Sequence, residues 1–141
     1  MHSRARSAAA GAAAAVVWGL LEPLDQRLLG YCYSDVAVLG KAITRGPGWR
    51  LAGFAWHAVN GAVFGLVFHD LAERTKVDRR RLALTMALIE HASLYPLGAL
   101  VDRYHPARGQ AGVPRLIGSR RAYAQATWRH ALFGLVLGRL S

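Results

Sequence analysis

The chain has 141 residues, one domain's worth, with 53% hydrophobic and only 18% charged side chains, where a soluble domain carries about 25% charged residues. Its net charge of +10 suits nucleic acid or an anionic lipid surface, yet the basic residues gather between apolar runs, as at Arg79-Arg80-Arg81 and Arg120-Arg121. No nucleic-acid-binding motif accompanies them, so nucleic acid is set aside as a partner and a lipid bilayer is expected.

In chain order, the first apolar run lies between Arg6 and Glu22, is rich in Ala and ends in Val16-Val17-Trp18-Gly19-Leu20-Leu21. His2, Arg4 and Arg6 ahead of the alanines also resemble a secretory signal peptide. A spanning helix needs about 20 apolar residues, so this run is short unless the helix continues past Glu22. Tyr33-Ser34-Asp35 then offers an N-cap, Ser34 or Asp35, for a short helix over Val36 to Ile43 that covers the bundle or lies at the interface. Gly46-Pro47-Gly48 ends it.

The second run extends from Leu51 to Phe68, a mixed-charge hinge follows from Asp70 to Arg81, and the third run covers Leu82 to Val101. His105 to Arg121 forms a more polar connector, expected as a basic flap. The fourth run, Ala122 to Leu137, is interrupted by Arg129 and His130. His69 and His105 are expected at the membrane interface, and Trp49, Trp56 and Trp128 near helix starts suit an aromatic belt. The runs are long, rich in Ala, Leu and Gly and without alternation, which favours helix over strand. Gly61 and Gly65, and likewise Gly134 and Gly138, stand four apart and should let neighbouring helices approach closely. The expectation is an all-α, integral membrane four-helix bundle over residues 1–141, with partly helical connectors.

Leu20-Leu21-Glu22 matches Leu88-Ile89-Glu90, and Leu29-Gly30 matches Leu97-Gly98 at the same offset. Phe64-Gly65-Leu66-Val67 returns as Phe133-Gly134-Leu135-Val136, one residue out of step. These matches read as an internal duplication, repeat 1 near 7–70 and repeat 2 near 75–139, giving two similar hairpins related by an axis along the membrane normal. Chance likeness between low-complexity runs is the alternative.

The duplication places Glu22, His57, Asn60, Glu90, His91, Arg129 and His130 in one half of the bundle, beneath the long connectors. Ionisable groups in a membrane helix cost a few kcal/mol each, so they face a partner or a wet cavity. Glu90 and Arg129 are the expected ion pair, with His57 and His130 in reach of a glutamate for proton exchange. Three roles stay open for the cluster: a structural one, fixing helix register; handling of protons, an ion or a small ligand, or support of assembly; and membrane-embedded catalysis on a lipid-like substrate by Glu/His acid–base residues. No catalytic residue can be named from motifs, because phosphate-loop, dinucleotide-binding and serine-nucleophile patterns are absent.

No metal site is expected, since Glu90-His91 are adjacent rather than in the Glu-x-x-His spacing of dimetal bundles. Cys32 is the only cysteine, which rules out an intrachain disulfide and multi-thiolate zinc sites. No cofactor is predicted; haem held between His57 and His130 is the one alternative. A homo-oligomer or a membrane partner protein is compatible with this pattern, as is a soluble helical bundle, which detergent-free extraction would reveal.

Glu90-His91, Pro96-Leu97, Val101-Asp102-Arg103, His105-Pro106-Ala107-Arg108 and the stretch Arg121 to His130 with Phe133-Gly134 together resemble a family of small, uncharacterised four-helix membrane proteins of high-GC Gram-positive (actinobacterial) bacteria. The likeness extends to Glu22-Pro23-Leu24-Asp25 and Tyr33-Ser34-Asp35. It implies a multi-pass protein of the bacterial cytoplasmic membrane and nothing about chemistry. Lys and Arg are almost equally divided between the two sides; the short, charge-dense middle loop favours a cytoplasmic N-terminus.

Overall fold

The structure, a computed structural model, describes residues 3–141, and His2 of the signal-like N-terminus lies outside the described residues. Its elements are α1 (Arg4–Leu29), α2 (Asp35–Ile43), α3 (Trp49–Ala72), α4 (Arg79–Leu94), a 3-10 turn (Tyr95–Leu97), α5 (Gly98–Tyr104) and α6 (Arg120–Leu140). The protein is all-α: among the described residues the only β-type pairing is an isolated bridge between Tyr33 and Gly112.

Helix ends follow local chemistry. The side chains of Ser3, Ser34, Asp78 and Ser119 each accept a backbone N–H in the first turn of α1, α2, α4 and α6, filling donors that a helix start leaves open. α1 does not stop at Glu22. It runs on through Pro23, which forgoes one backbone hydrogen bond, and ends where Gly30 turns left-handed at φ 62°. Its 26 residues span about 39 Å at 1.5 Å per residue.

Three stretches, Arg4–Leu29, Trp49–Ala72 and Arg79–Tyr104, are long and apolar enough to cross a membrane. The expected fourth, α6, has 21 residues but includes Arg120, Arg121, Arg129 and Arg139, which lower its hydropathy below that of the other three.

Neighbouring helices run antiparallel. A Cβ at Gly61 would strike the Gly11 carbonyl and one at Gly65 the Ser7 carbonyl, so each step forward along α1 is matched by a step back along α3. Gly134 and Gly138 stand against the Leu84 and Arg80 backbone in the same way, at 2.7 and 2.8 Å for an added Cβ. Glycine at these positions therefore sets how closely α1 meets α3 and α4 meets α6. The matched glycines Gly65 and Gly134 meet non-equivalent turns, so the two hairpins pack in different registers. α1 also packs on α6 and α2 on α3, whereas α3 and α4 barely touch.

The interior is built of Ala10, Ala14, Ala15, Trp18, Phe68, Leu82, Ala83, Ala87, Phe133 and Leu137. The outside is the reverse of a soluble bundle's: Leu51 is 78% exposed, Leu20 64%, Ile89 59% and Val63 54%, while Arg129 is 1% exposed. Exposed apolar residues spread over all four long helices are compatible with a surface that faces lipid.

The connector between α5 and α6 is anchored rather than a free flap. Its Gly112 carbonyl accepts from Ser34 N at 3.0 Å, Lys41 Nζ donates to Ala111 O at 2.6 Å, and the Tyr31 hydroxyl donates to Arg115 O. Asp102 accepts from the backbone N–H groups of Leu116 and Ile117 at 2.7 and 2.9 Å. His105, expected at the interface, is buried instead: Ala107 N donates to its Nδ1 at 3.1 Å, which leaves Nε2 to donate to Val38 O at 2.8 Å. Both ring nitrogens are spent on holding the connector to α2.

Candidate functional site

The residues expected to cluster fall into two groups on either side of Trp18. The first centres on Arg129. Its Nε and Nη2 donate to the Asp25 carboxylate at 2.6 Å each, Nη1 donates to Asp35 Oδ2 at 2.8 Å, and Nη2 also reaches Tyr33 O at 2.9 Å. Glu22 Oε1 lies 3.6 Å from Nη1, and the Tyr33 ring sits against the guanidinium at 4.9 Å. The expected Glu90–Arg129 pair does not form, because the fork of α6 points towards α1 and α2 while Glu90 stands on α4. α6 packs against both α1 and α4, and on the face where Arg129 lies Asp25 offers a bidentate carboxylate, which matches the guanidinium fork.

The carboxylates of this knot are themselves held. Glu22 accepts from the Ser34 hydroxyl, from Asp35 N at 2.7 Å and from Val36 N at 3.3 Å, so it closes the N-terminus of α2, where the helix dipole favours negative charge. Asp35 accepts from Trp18 Nε1 at 3.1 Å and from the Tyr33 hydroxyl. Gln125 Nε2 donates to Asp25 Oδ1 at 2.9 Å and to Tyr31 O at 2.8 Å. Burial alone would raise Asp35, but Arg129 foremost, with His57 and the Tyr33 hydroxyl, holds its carboxyl below the ordinary value. Burial, followed by the Asp35 charge, pushes the Tyr33 phenol well above its ordinary value.

The second group lines a cleft of about 190 Å³ where α3 and α4 separate. His57, Asn60, Glu90 and His130 face it, with Asp35 at one end and Trp18, Phe64 and Phe133 as aromatic wall. His130 Nε2 stands 3.9 Å from Glu90 Oε2, while Nδ1 is 2.7 Å from the Ala126 carbonyl. A carbonyl only accepts, so Nδ1 bears a hydrogen and Nε2 is the nitrogen left to exchange a proton. His57 is 8% exposed, its Nε2 has no partner, and its ring meets Trp18 edge-on at 4.8 Å. Six buried side-chain atoms lack a partner among the described residues, and His57 Nε2 is the one that belongs to a residue lining this cleft.

His91 is turned aside from this cleft. Thr127 Oγ1 donates to Tyr123 O at 2.8 Å, so His91 Nε2 donates to Thr127 Oγ1 at 2.9 Å, and the His91 ring lies 4.9 Å from that of His130. Glu22 and Arg129 contribute nothing to the cleft lining. Among the described residues no group of three or more His, Cys, Asp or Glu side chains is placed to hold a metal ion.

Asp25, Tyr33, Asp35, Gln125 and Trp18 were not among the expected cluster residues. Two of them carried a readable signal: Asp25 is three residues after Glu22 and Gln125 four before Arg129, spacings that share a helix face. Asp35 read only as a helix cap, and its reach to α6 depends on how α2 folds over the bundle. In comparisons with known proteins, no family model, no curated protein and no solved structure matches the chain.

Proposed function

We propose that the protein is a four-helix, multi-pass membrane protein whose cleft between α3 and α4 takes up a small ligand or proton, with Glu90 and His130 as the exchanging groups. The observation that carries this reading is a contrast between the charged groups, the knot itself leaving only Gln125 Oε1 without a partner. Arg129 and its carboxylates satisfy one another, as a structural cluster should, whereas the cleft holds a buried His57 Nε2 without a partner and a Glu90–His130 pair at 3.9 Å. α6 joins the three apolar stretches as the fourth span, its arginine neutralised by Asp25 and Asp35. Two duplicated hairpins, the first copy slid relative to the second, account for the sequence matches and for the contact of the equivalent rings of Phe64 and Phe133, 5.1 Å apart. The resemblance to actinobacterial membrane proteins and the basic middle loop argue for the bacterial cytoplasmic membrane, N-terminus inside.

Native mass spectrometry of the protein released from membrane-derived nanodiscs tests the reading. A small molecule retained by the wild type and lost from Glu90→Gln supports a ligand cleft. Identical empty spectra, with both proteins equally stable and no pH-dependent change in the Trp18 environment, assign the cleft a structural role. Extraction by carbonate or urea without detergent would remove the membrane setting altogether.

A second reading is favoured by the same 3.9 Å pair. A carboxylate and an imidazole at that separation can act as general acid and base on a lipid-like substrate entering between α3 and α4. Turnover lost in both Glu90→Gln and His130→Phe would distinguish it from simple binding.

A further inference from the structure

Resting on the ligand-cleft reading, the geometry points to an ammonium group as the occupant of the α3–α4 cleft, presented by an alkylamine or by a lipid headgroup. The one free charged group on the wall is an acceptor, and Asn60 adds an amide that both donates and accepts. Glu90 offers a carboxylate, and His130 Nε2 offers a lone pair because its Nδ1 carries the hydrogen on Ala126 O, whereas Asp35 at the cleft is already taken up by Trp18, Tyr33 and Arg129. Arg and Lys are missing from the cleft lining. The nearest guanidinium, that of Arg129, is already bound by Asp25 and Asp35. The cleft thus keeps one carboxylate, that of Glu90, with no Lys or Arg of its own to neutralise it.

The remaining walls suit the same chemistry. Trp18, Phe64 and Phe133 line one side, and aromatic faces attract organic cations, quaternary ammonium above all. His57, more than nine-tenths buried, keeps Nε2 unpartnered beside them. The volume of about 190 Å³ is below the roughly 300–1,000 Å³ of pockets that enclose a drug-sized molecule, so it admits a headgroup and leaves any tail outside. That tail has a path: Asn60 at the cleft is exposed and its neighbours Val59 and Val63 are each 54% exposed on the outer face of α3.

The test is calorimetric titration of the detergent-solubilised full chain, in a maltoside whose uncharged headgroup does not compete. Three probes are used: choline, its neutral isostere 3,3-dimethylbutanol, and hexyltrimethylammonium. Choline is expected to bind saturably, with the neutral isostere and the Glu90→Gln variant each weaker by about tenfold or more, the size of a charge and cation–π contact out of water. Glu73→Gln, which touches only a surface pair with Arg79, should leave affinity unchanged. Hexyltrimethylammonium binding more tightly than choline identifies a lipid headgroup as the source; equal binding identifies a free amine. Should Glu90→Gln not yield monodisperse protein, Asn60→Trp, at the exposed mouth, closes the cleft and should abolish binding. Equal affinity for choline and its isostere, or choline binding untouched by either variant, overturns the ammonium assignment. In those cases the ligand-cleft reading is still judged separately by the mass-spectrometric retention experiment.

Discussion

The contacts α1–α6 and α3–α4 have opposite characters. In the proposed duplication, Glu22 and Arg129 on the first contact correspond to Glu90 and Asn60 on the second. Where the partner is arginine, two further carboxylates and a tyrosine ring close round it and Arg129 is 1% exposed. Where it is asparagine, no charge is neutralised, α3 and α4 separate, and a cleft with a half-exposed glutamate is left. At the offset that matches Glu22 with Glu90, the other knot carboxylates Asp25 and Asp35 fall on Ser93 and Arg103, so the second contact has neither the cation nor the acids of the first. A fully paired charge is rigid, and an unpaired one invites a ligand.

The sharpest way to break this contrast is to unpair the knot. Arg129→Met strands Asp25 and Asp35 without a cation, and removing one partner of a buried pair costs about 3–5 kcal/mol. Most of the protein should be lost from the membrane fraction, measured by quantitative immunoblot and by size-exclusion of what remains. A wild-type yield would show the knot to be dispensable.

Next in size is crowding at the helix contacts. Gly61→Val drives a side chain into the Gly11 carbonyl and the Ala15 methyl, and overpacking of this kind costs about 1–3 kcal/mol. Gly48, which has no neighbour near its Cβ position, is the control: Gly48→Ala should leave the unfolding temperature in detergent unchanged.

These two predictions also mark what the sequence could and could not disclose. Gly61, Gly65, Gly134 and Gly138 were legible because a four-residue spacing in an apolar helix has one geometric consequence. The cap of α2 was legible for the same local reason as one of two neighbours, Ser34 or Asp35, and the structure uses Ser34. The partner of Arg129 was not legible. Both α1 and α4 lie beside α6, so whether Arg129 meets Asp25 or Glu90 depends on which of the two neighbours its face of α6 is turned towards, and that rotation comes from how whole faces pack. Asp35 was hidden further, since its place in the knot needs α2 to fold back over Trp18. α1 passing through Pro23 likewise follows from tertiary packing that outweighs one lost hydrogen bond.

A smaller effect should appear on acidification. The carboxyl of Asp35 is held below its ordinary value in the fold, so its contribution is complete above the unfolded value near 3.9 and is lost as pH falls through the lower, folded value. The unfolding temperature should therefore decline below about pH 4, and Asp35→Asn should flatten that limb while lowering stability at neutral pH. An unchanged acid limb would mean Asp35 is not held by Arg129 in solution.

The smallest stability change is expected on the open side. Glu90→Gln removes no close ion pair, its nearest cation candidate being His130 Nε2 at 3.9 Å, and should shift stability by no more than about 0.5 kcal/mol. A loss comparable to that of Arg129→Met would make the two contacts alike and collapse the comparison.

Cys32 lies exposed just past the C-terminus of α1, at the end of the bundle opposite Arg4 and Asp70. With no other thiol in the sequence, the wild-type chain carries a built-in sidedness marker. A bulky maleimide that does not cross lipid will label intact cells if α1 begins in the cytoplasm, and only opened cells if it begins outside, so vectorial insertion can be read without altering a single residue.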